Sequence, residues 1–78
     1  MKELSTFINK LNVDYGFMLF ENKVIESLEN RVYSVEEMVE ILFEMEGLHP
    51  HSEISLFRKI KRFFIQQIGS EIKIETKL

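Results

Sequence analysis

The chain has 78 residues, 45% of them hydrophobic, and a formal net charge of −3. That length holds one domain with one core, and a domain of this size buries only roughly 60% of its unfolded surface. With no cysteine, disulfide staples and thiolate metal sites are excluded, and a reducing, cytoplasmic setting is expected.

No apolar run approaches the ~18 residues that cross a bilayer. The opening MKELSTFINKLN has no continuous apolar stretch of the kind a signal peptide needs. The charge is unevenly placed. Residues 1–48 carry four bases and ten acids, and residues 49–78 carry six bases and three acids. Such asymmetry favours a polyanion partner, unless the two halves neutralise each other within one fold.

Leu4, Phe7, Ile8 and Leu11 recur at i, i+3, i+4 and i+7, which predicts an amphipathic helix over 2–11. Its apolar face, Leu4, Phe7, Ile8 and Leu11, is the expected contact of a two-fold homodimer. Asn12-Val13-Asp14 is expected to break this helix, with Asp14 as the cap of the next. Residues 15–29, YGFMLFENKVIESLE, allow two readings. A helix aligns Phe17, Phe20, Val24 and Leu28, and a hairpin would turn at Glu21-Asn22-Lys23. No glycine follows Asn22, and Met, Leu, Glu and Lys favour helix, so a helix over 15–29 is expected.

Arg31-Val32-Tyr33 is β-prone. Ser34-Val35-Glu36-Glu37 reads as a capping box, the Ser34 hydroxyl and the Glu37 carboxylate exchanging hydrogen bonds with each other's backbone. The helix it opens spans 34–46 and stops at Gly47. Val35, Met38, Val39, Ile41, Leu42 and Met45 face its core side, and Glu36, Glu37, Glu40 and Glu44 fill the solvent arc. Pro50 suits the first turn of the last helix, predicted over 51–68 and stopped by Gly69. The tail alternates Ile72 and Ile74 with Lys73 and Glu75, predicting a strand at 72–75 that pairs with 31–33. The fold class is therefore mainly α with a minor two-stranded β element. Its expected core includes Val24, Leu28, Met38, Leu42, Phe57, Ile60 and Phe64.

Catalysis finds no constellation. The three glycines are isolated, so no phosphate loop exists. His49 and His51, at i, i+2 beside a proline, cannot share a helical face as zinc-binding pairs do, and a metal site would need Glu46 or Glu53 as well. No enzyme activity, small-molecule substrate, metal or cofactor is expected. The last helix carries the chemistry that remains. At about 100° per residue, Ser55, Arg58, Lys59, Arg62 and Gln66 fall within roughly one quadrant. The arginines and lysine could contact phosphates, and arginine can fork onto guanine. Ser52 and Ser55 lie near the helix start, whose N–H groups favour a phosphate. Lys61 sits at the edge of the apolar arc, where it could snorkel.

The run VIESLENRVYSVEEMVEIL resembles the opening of a winged helix-turn-helix domain. In that family a helix, a short strand and a capped second helix precede a recognition helix and a β wing. The resemblance covers roughly residues 15–76. It makes Ser52–Ile68 the recognition helix and Ile72–Thr76 a wing remnant. It also places Ser55, Arg58, Lys59 and Arg62 at positions facing bases and phosphates. The connection at 47–51 is longer than the family's tight turn, and Phe43 stands where a small residue usually permits close helix crossing. The function it implies is that of a small regulatory protein that binds duplex DNA. The alternative is a protein-binding regulator. The chain is similar in size and charge to phage-encoded inhibitors such as the anti-CRISPR proteins. Its acidic arc Glu36, Glu37, Glu40 and Glu44, or an apolar surface, would then meet a protein target.

Overall fold

The structure is a computed structural model that describes residues 2–75. The elements in order are α1 (Lys2–Tyr15), α2 (Glu21–Glu26), β1 (Val32–Ser34), α3 (Val35–Glu46), α4 (Ile54–Ile68) and β2 (Glu71–Lys73). The protein is mainly helical with one small antiparallel sheet, as the sequence predicts.

The first helix does not break at Asn12. It continues to Tyr15, because Val13 and Asp14 stay exposed and Lys10 pairs with Asp14 one turn away, at 2.5 Å. Asp14 is therefore not a cap. Gly16, at φ 73°, ends α1 in a conformation that costs glycine little. Leu4, Phe7, Ile8 and Leu11 are all buried in this same chain, where the Phe7 ring stacks on Phe64 of α4. The apolar face expected at a two-fold axis is thus already covered, and the homodimer contact through these four residues is not available.

Residues 15–29 form neither a single helix nor a hairpin. Residues 16–20 belong to no helix or strand: Gly16 is left-handed, the chain is extended at Phe20, and only Glu21–Glu26 are helical. The extended run alternates with period two: Phe17 and Leu19 are buried, and Met18 and Phe20 are exposed. The helical alignment of Phe17 with Phe20 fails because Phe20 is 69% exposed.

β1 lies one residue after the expected 31–33, and β2 begins one residue and ends two residues before the expected 72–75. They pair antiparallel with Val32 opposite Lys73, Tyr33 opposite Ile72 and Ser34 opposite Glu71. The ladder is extended by Ile74 N–H to the Arg31 carbonyl and by Val35 N–H to the Ser70 carbonyl, both 2.9 Å. Tyr33, Ile72 and Ile74 point inward, as the alternation of the tail requires. Thr76, part of the expected wing remnant, lies outside the described residues.

The capping box is present. Ser34 Oγ accepts from Glu37 N–H and Glu37 Oε1 accepts from Ser34 N–H, each at 3.1 Å. At the other end Gly47, φ 80°, lets its own N–H reach the Glu44 carbonyl and Leu48 N–H reach the Phe43 carbonyl. These two bonds satisfy carbonyls that a helix end would otherwise leave open. Met45, expected on the core side, is 39% exposed. Phe43 is fully buried instead, with edge-on contacts to Phe17 and Phe57 at ring-centroid distances of 5.7 and 5.4 Å. All seven expected core residues are buried.

α4 starts at Ile54 rather than 51. The His49 carbonyl accepts from Ser52 N–H and Glu53 N–H, both 3.0 Å, so Pro50–Glu53 close a turn before the helix. Phe57, Ile60 and Phe64 form its buried stripe, against α3 through Phe43 and against α1 through Phe7.

Candidate nucleic-acid interface

The buried stripe of α4 fixes what the opposite side presents. With Phe57, Ile60 and Phe64 inward, a helix of about 3.6 residues per turn must aim positions 55, 58, 59, 62 and 66 outward. All five are exposed. Ser55, Arg58, Lys59, Arg62 and Gln66 line one shallow groove of about 430 Å³, and Tyr15 and Phe63 complete it. Ser52 does not line it, because it lies in the turn before the helix. The sequence grouping is otherwise assembled as expected, and the structure adds Tyr15. With α1 continued, Tyr15 follows Phe7 and Leu11 at four-residue spacing. That series is its signal in the sequence, and the break expected at Asn12-Val13-Asp14 hides it.

The electrostatics separate these bases from most of the others, Lys23 on α2 being likewise without an ion pair among the described residues. Lys10 pairs with Asp14, Arg31 with Glu29 and Glu37, Lys61 with Glu36, and Lys73 with Glu75. Among the described residues, Arg58, Lys59 and Arg62 have no ion-pair partner. Lys59 instead stands 5.9 Å from the Tyr15 ring centroid, at the outer range of a cation–π contact. Three neighbouring cations along this shallow groove are left without an acid partner. Lys61, on the side of α4 facing α3, ties the two helices together rather than adding to the groove.

The acidic arc divides in two. Glu37 belongs to the cap of α3. The Ser34 backbone N–H and the Arg31 guanidinium hold its carboxyl below the usual carboxylate range, and the same contact raises Arg31. The Arg31 guanidinium also lies 3.7 Å from the Tyr33 ring centroid. Glu36, Glu40 and Glu44 line a second groove of about 430 Å³ on the α3–α4 seam, with His49, Pro50, His51 and Ile54 along it. None of these carboxylates lines the basic groove. His51 N–H donates to His49 Nδ1 at 3.2 Å. The His49 imidazole thus serves the turn, and among the described residues no cluster of three or more His, Asp or Glu is placed to hold a metal ion. No described helix is long and apolar enough to cross a membrane.

Comparison with protein-family models, curated proteins and solved structures finds no match to this chain.

Proposed function

We propose that this chain is a small regulatory protein that binds duplex DNA through the outer face of α4 and performs no chemistry. The observation that carries the reading is the set Arg58, Lys59 and Arg62: exposed, without acid partners among the described residues, and lining one groove. A major groove about 12 Å wide admits a helix. α4 has 15 residues and is therefore about 22 Å long. Its buried stripe leaves the positions from Ser55 to Gln66 exposed on the other side, with Tyr15 of α1 beside them. Arg58 and Arg62 are one turn apart and would meet phosphates or guanine edges, while Ser55 and Gln66 would add neutral hydrogen bonds. The order α2, β1, α3, α4, β2 supports the reading, since it follows the winged-helix arrangement that the sequence resembles.

The net charge of −3 opposes DNA binding only at long range. The molecule measures 36 × 23 × 20 Å, and the Debye length at physiological salt is about 8 Å. Acids on the far side are screened from the groove. Glu40 and Glu44, on the neighbouring seam, are the ones that count against it.

Titration of a labelled random-sequence duplex by fluorescence anisotropy tests the reading. Three phosphate contacts give a log–log salt slope of about −2.7, so affinity falls about 40-fold between about 50 and 200 mM salt. Absence of binding at the lower salt refutes it. One observation favours the protein-binding alternative. Glu40 and Glu44 have no ion-pair partner among the described residues, and they share their groove with Ile54, which is 41% exposed. That groove would suit a basic protein target.

A further inference from the structure

The extended run between α1 and α2 takes no part in either charged groove. It is firmly held. Asn12 Nδ2 donates to the Leu19 carbonyl and Asn12 Oδ1 accepts from Leu19 N–H, both at 3.0 Å. Phe17 N–H reaches the Leu11 carbonyl at 3.2 Å, and Met18 N–H reaches Glu46 Oε1 at 2.9 Å. Burial of Phe17 and Leu19 therefore forces Met18 and Phe20 to the opposite face, where they are 77% and 69% exposed. A freely moving chain would turn such side chains inward, whereas Asn12 pins this backbone along one edge and Glu46 and Val24 hold it at two points of the other.

The edge opposite Asn12 is open only between these two points. Asn12 takes both backbone groups of Leu19, so those of Met18 and Phe20 point to the other edge. There Glu46 occupies Met18 N–H, and Val24 N–H occupies the Phe20 carbonyl at 3.0 Å. Among the described residues, the Met18 carbonyl and Phe20 N–H have no partner. They form the adjacent acceptor and donor that an added strand uses.

Charge selects the occupant. Glu46 touches the segment, Glu21 follows Phe20, and Glu26 lies on the same short helix. None of the three has an ion-pair partner among the described residues, and Lys23 is the one base on α2. A second copy would bring the same acids against these. A basic segment would neutralise them.

We propose that Met18–Phe20 is a docking edge for an extended segment of a partner protein in which apolar side chains alternate with lysine or arginine. The partner's backbone pairs with the Met18 carbonyl and Phe20 N–H. Its apolar side chains pack on Met18 and Phe20, with methionine adapting to their shape, and its bases meet Glu21 and Glu46. This edge is separate from the outer face of α4 and does not depend on the DNA reading.

The test is a titration of the isotope-labelled full chain, followed by backbone amide shifts. Three synthetic peptides serve as probes: alternating Lys-Leu, alternating Glu-Leu and alternating Lys-Ser. The Lys-Leu peptide shifts the amides of Met18–Glu21 and Glu46, and the other two bind at least about tenfold more weakly. The double variant M18S/F20S, which alters only exposed side chains, weakens the Lys-Leu peptide about tenfold or more. Three results overturn the proposal. The shifts could fall on Glu36, Glu40 and Glu44 instead. The Lys-Ser peptide could bind as tightly as Lys-Leu. The free chain could self-associate through residues 18–20 in a manner that M18S/F20S abolishes, which would assign the edge to a second copy.

Discussion

Phe43 and Phe20 are the same residue type with opposite fates, and that contrast gives a sharp test of the packing. Phe43 is fully buried between Phe17 and Phe57, so it links the extended run, α3 and α4. Phe20 is 69% exposed. Phe43→Ala removes a core ring and leaves a cavity, at a cost of about 3–5 kcal/mol. For 78 residues the whole stability is about 4–12 kcal/mol, so this one change consumes between a quarter and all of it. Phe43→Leu keeps most of the contact and loses about 1–2 kcal/mol. It provides a measurable variant if the alanine form is unfolded in buffer. Phe20→Ala stays within about 0.5 kcal/mol of the parent. Urea unfolding followed by far-UV circular dichroism reads all three. If Phe20→Ala costs more than Phe43→Ala, the burial pattern of 17–20 is wrong, and with it the packing of the run against α3.

Three further outcomes follow from named contacts. Ser34→Ala removes one half of the capping box and lowers stability by about 1 kcal/mol, measured in the same urea assay. The carboxyl of Glu37 is depressed in the folded state by the Ser34 N–H and Arg31. Its contribution is therefore complete above its unfolded pKa and disappears as pH falls through the lower folded value. Glu37→Gln should remove that part of the acid sensitivity in unfolding midpoints taken across acidic pH. Asn12→Ala strips both partners from Leu19 and costs about 1–3 kcal/mol, with faster amide hydrogen exchange at Leu19 as the local signature.

What the sequence made legible was local. Ser34, Glu37 and Gly47 lie within a few residues of the helix they bound, and α3 is found close to where they put it. The alternation of Ile72 and Ile74 and the quadrant of Ser55, Arg58, Lys59, Arg62 and Gln66 are periodicities of one element. Periodicity says that a face is buried but not what buries it. Leu4, Phe7, Ile8 and Leu11 are therefore assignable to a second copy from sequence, although the core of the same chain buries them, Phe7 against Phe64 of α4. The run 17–20 departs from the expected helix for a related reason. Its extended form depends on the Asn12 amide and the Glu46 carboxylate, which lie 7 residues before Leu19 and 28 residues after Met18. Propensity within the window 15–29 carries no trace of either. Tyr15 lies beyond the expected end of the first helix at residue 11, which hides its place in the series with Phe7 and Leu11 and beside Lys59.

The claim that the outer face of α4 meets DNA is tested most directly by the salt slope of duplex binding in a charge series. The parent chain should show a slope of about −2.7, and the double variant R58A/R62A should show about −0.9, because two of three phosphate contacts are gone. Lys23→Ala removes an unpaired cation on α2 and should leave the slope unchanged. E40Q/E44Q should leave binding intact or strengthen it. A slope in R58A/R62A equal to that of the parent would contradict the account, whatever the affinity, because the counterions released would then come from some other surface.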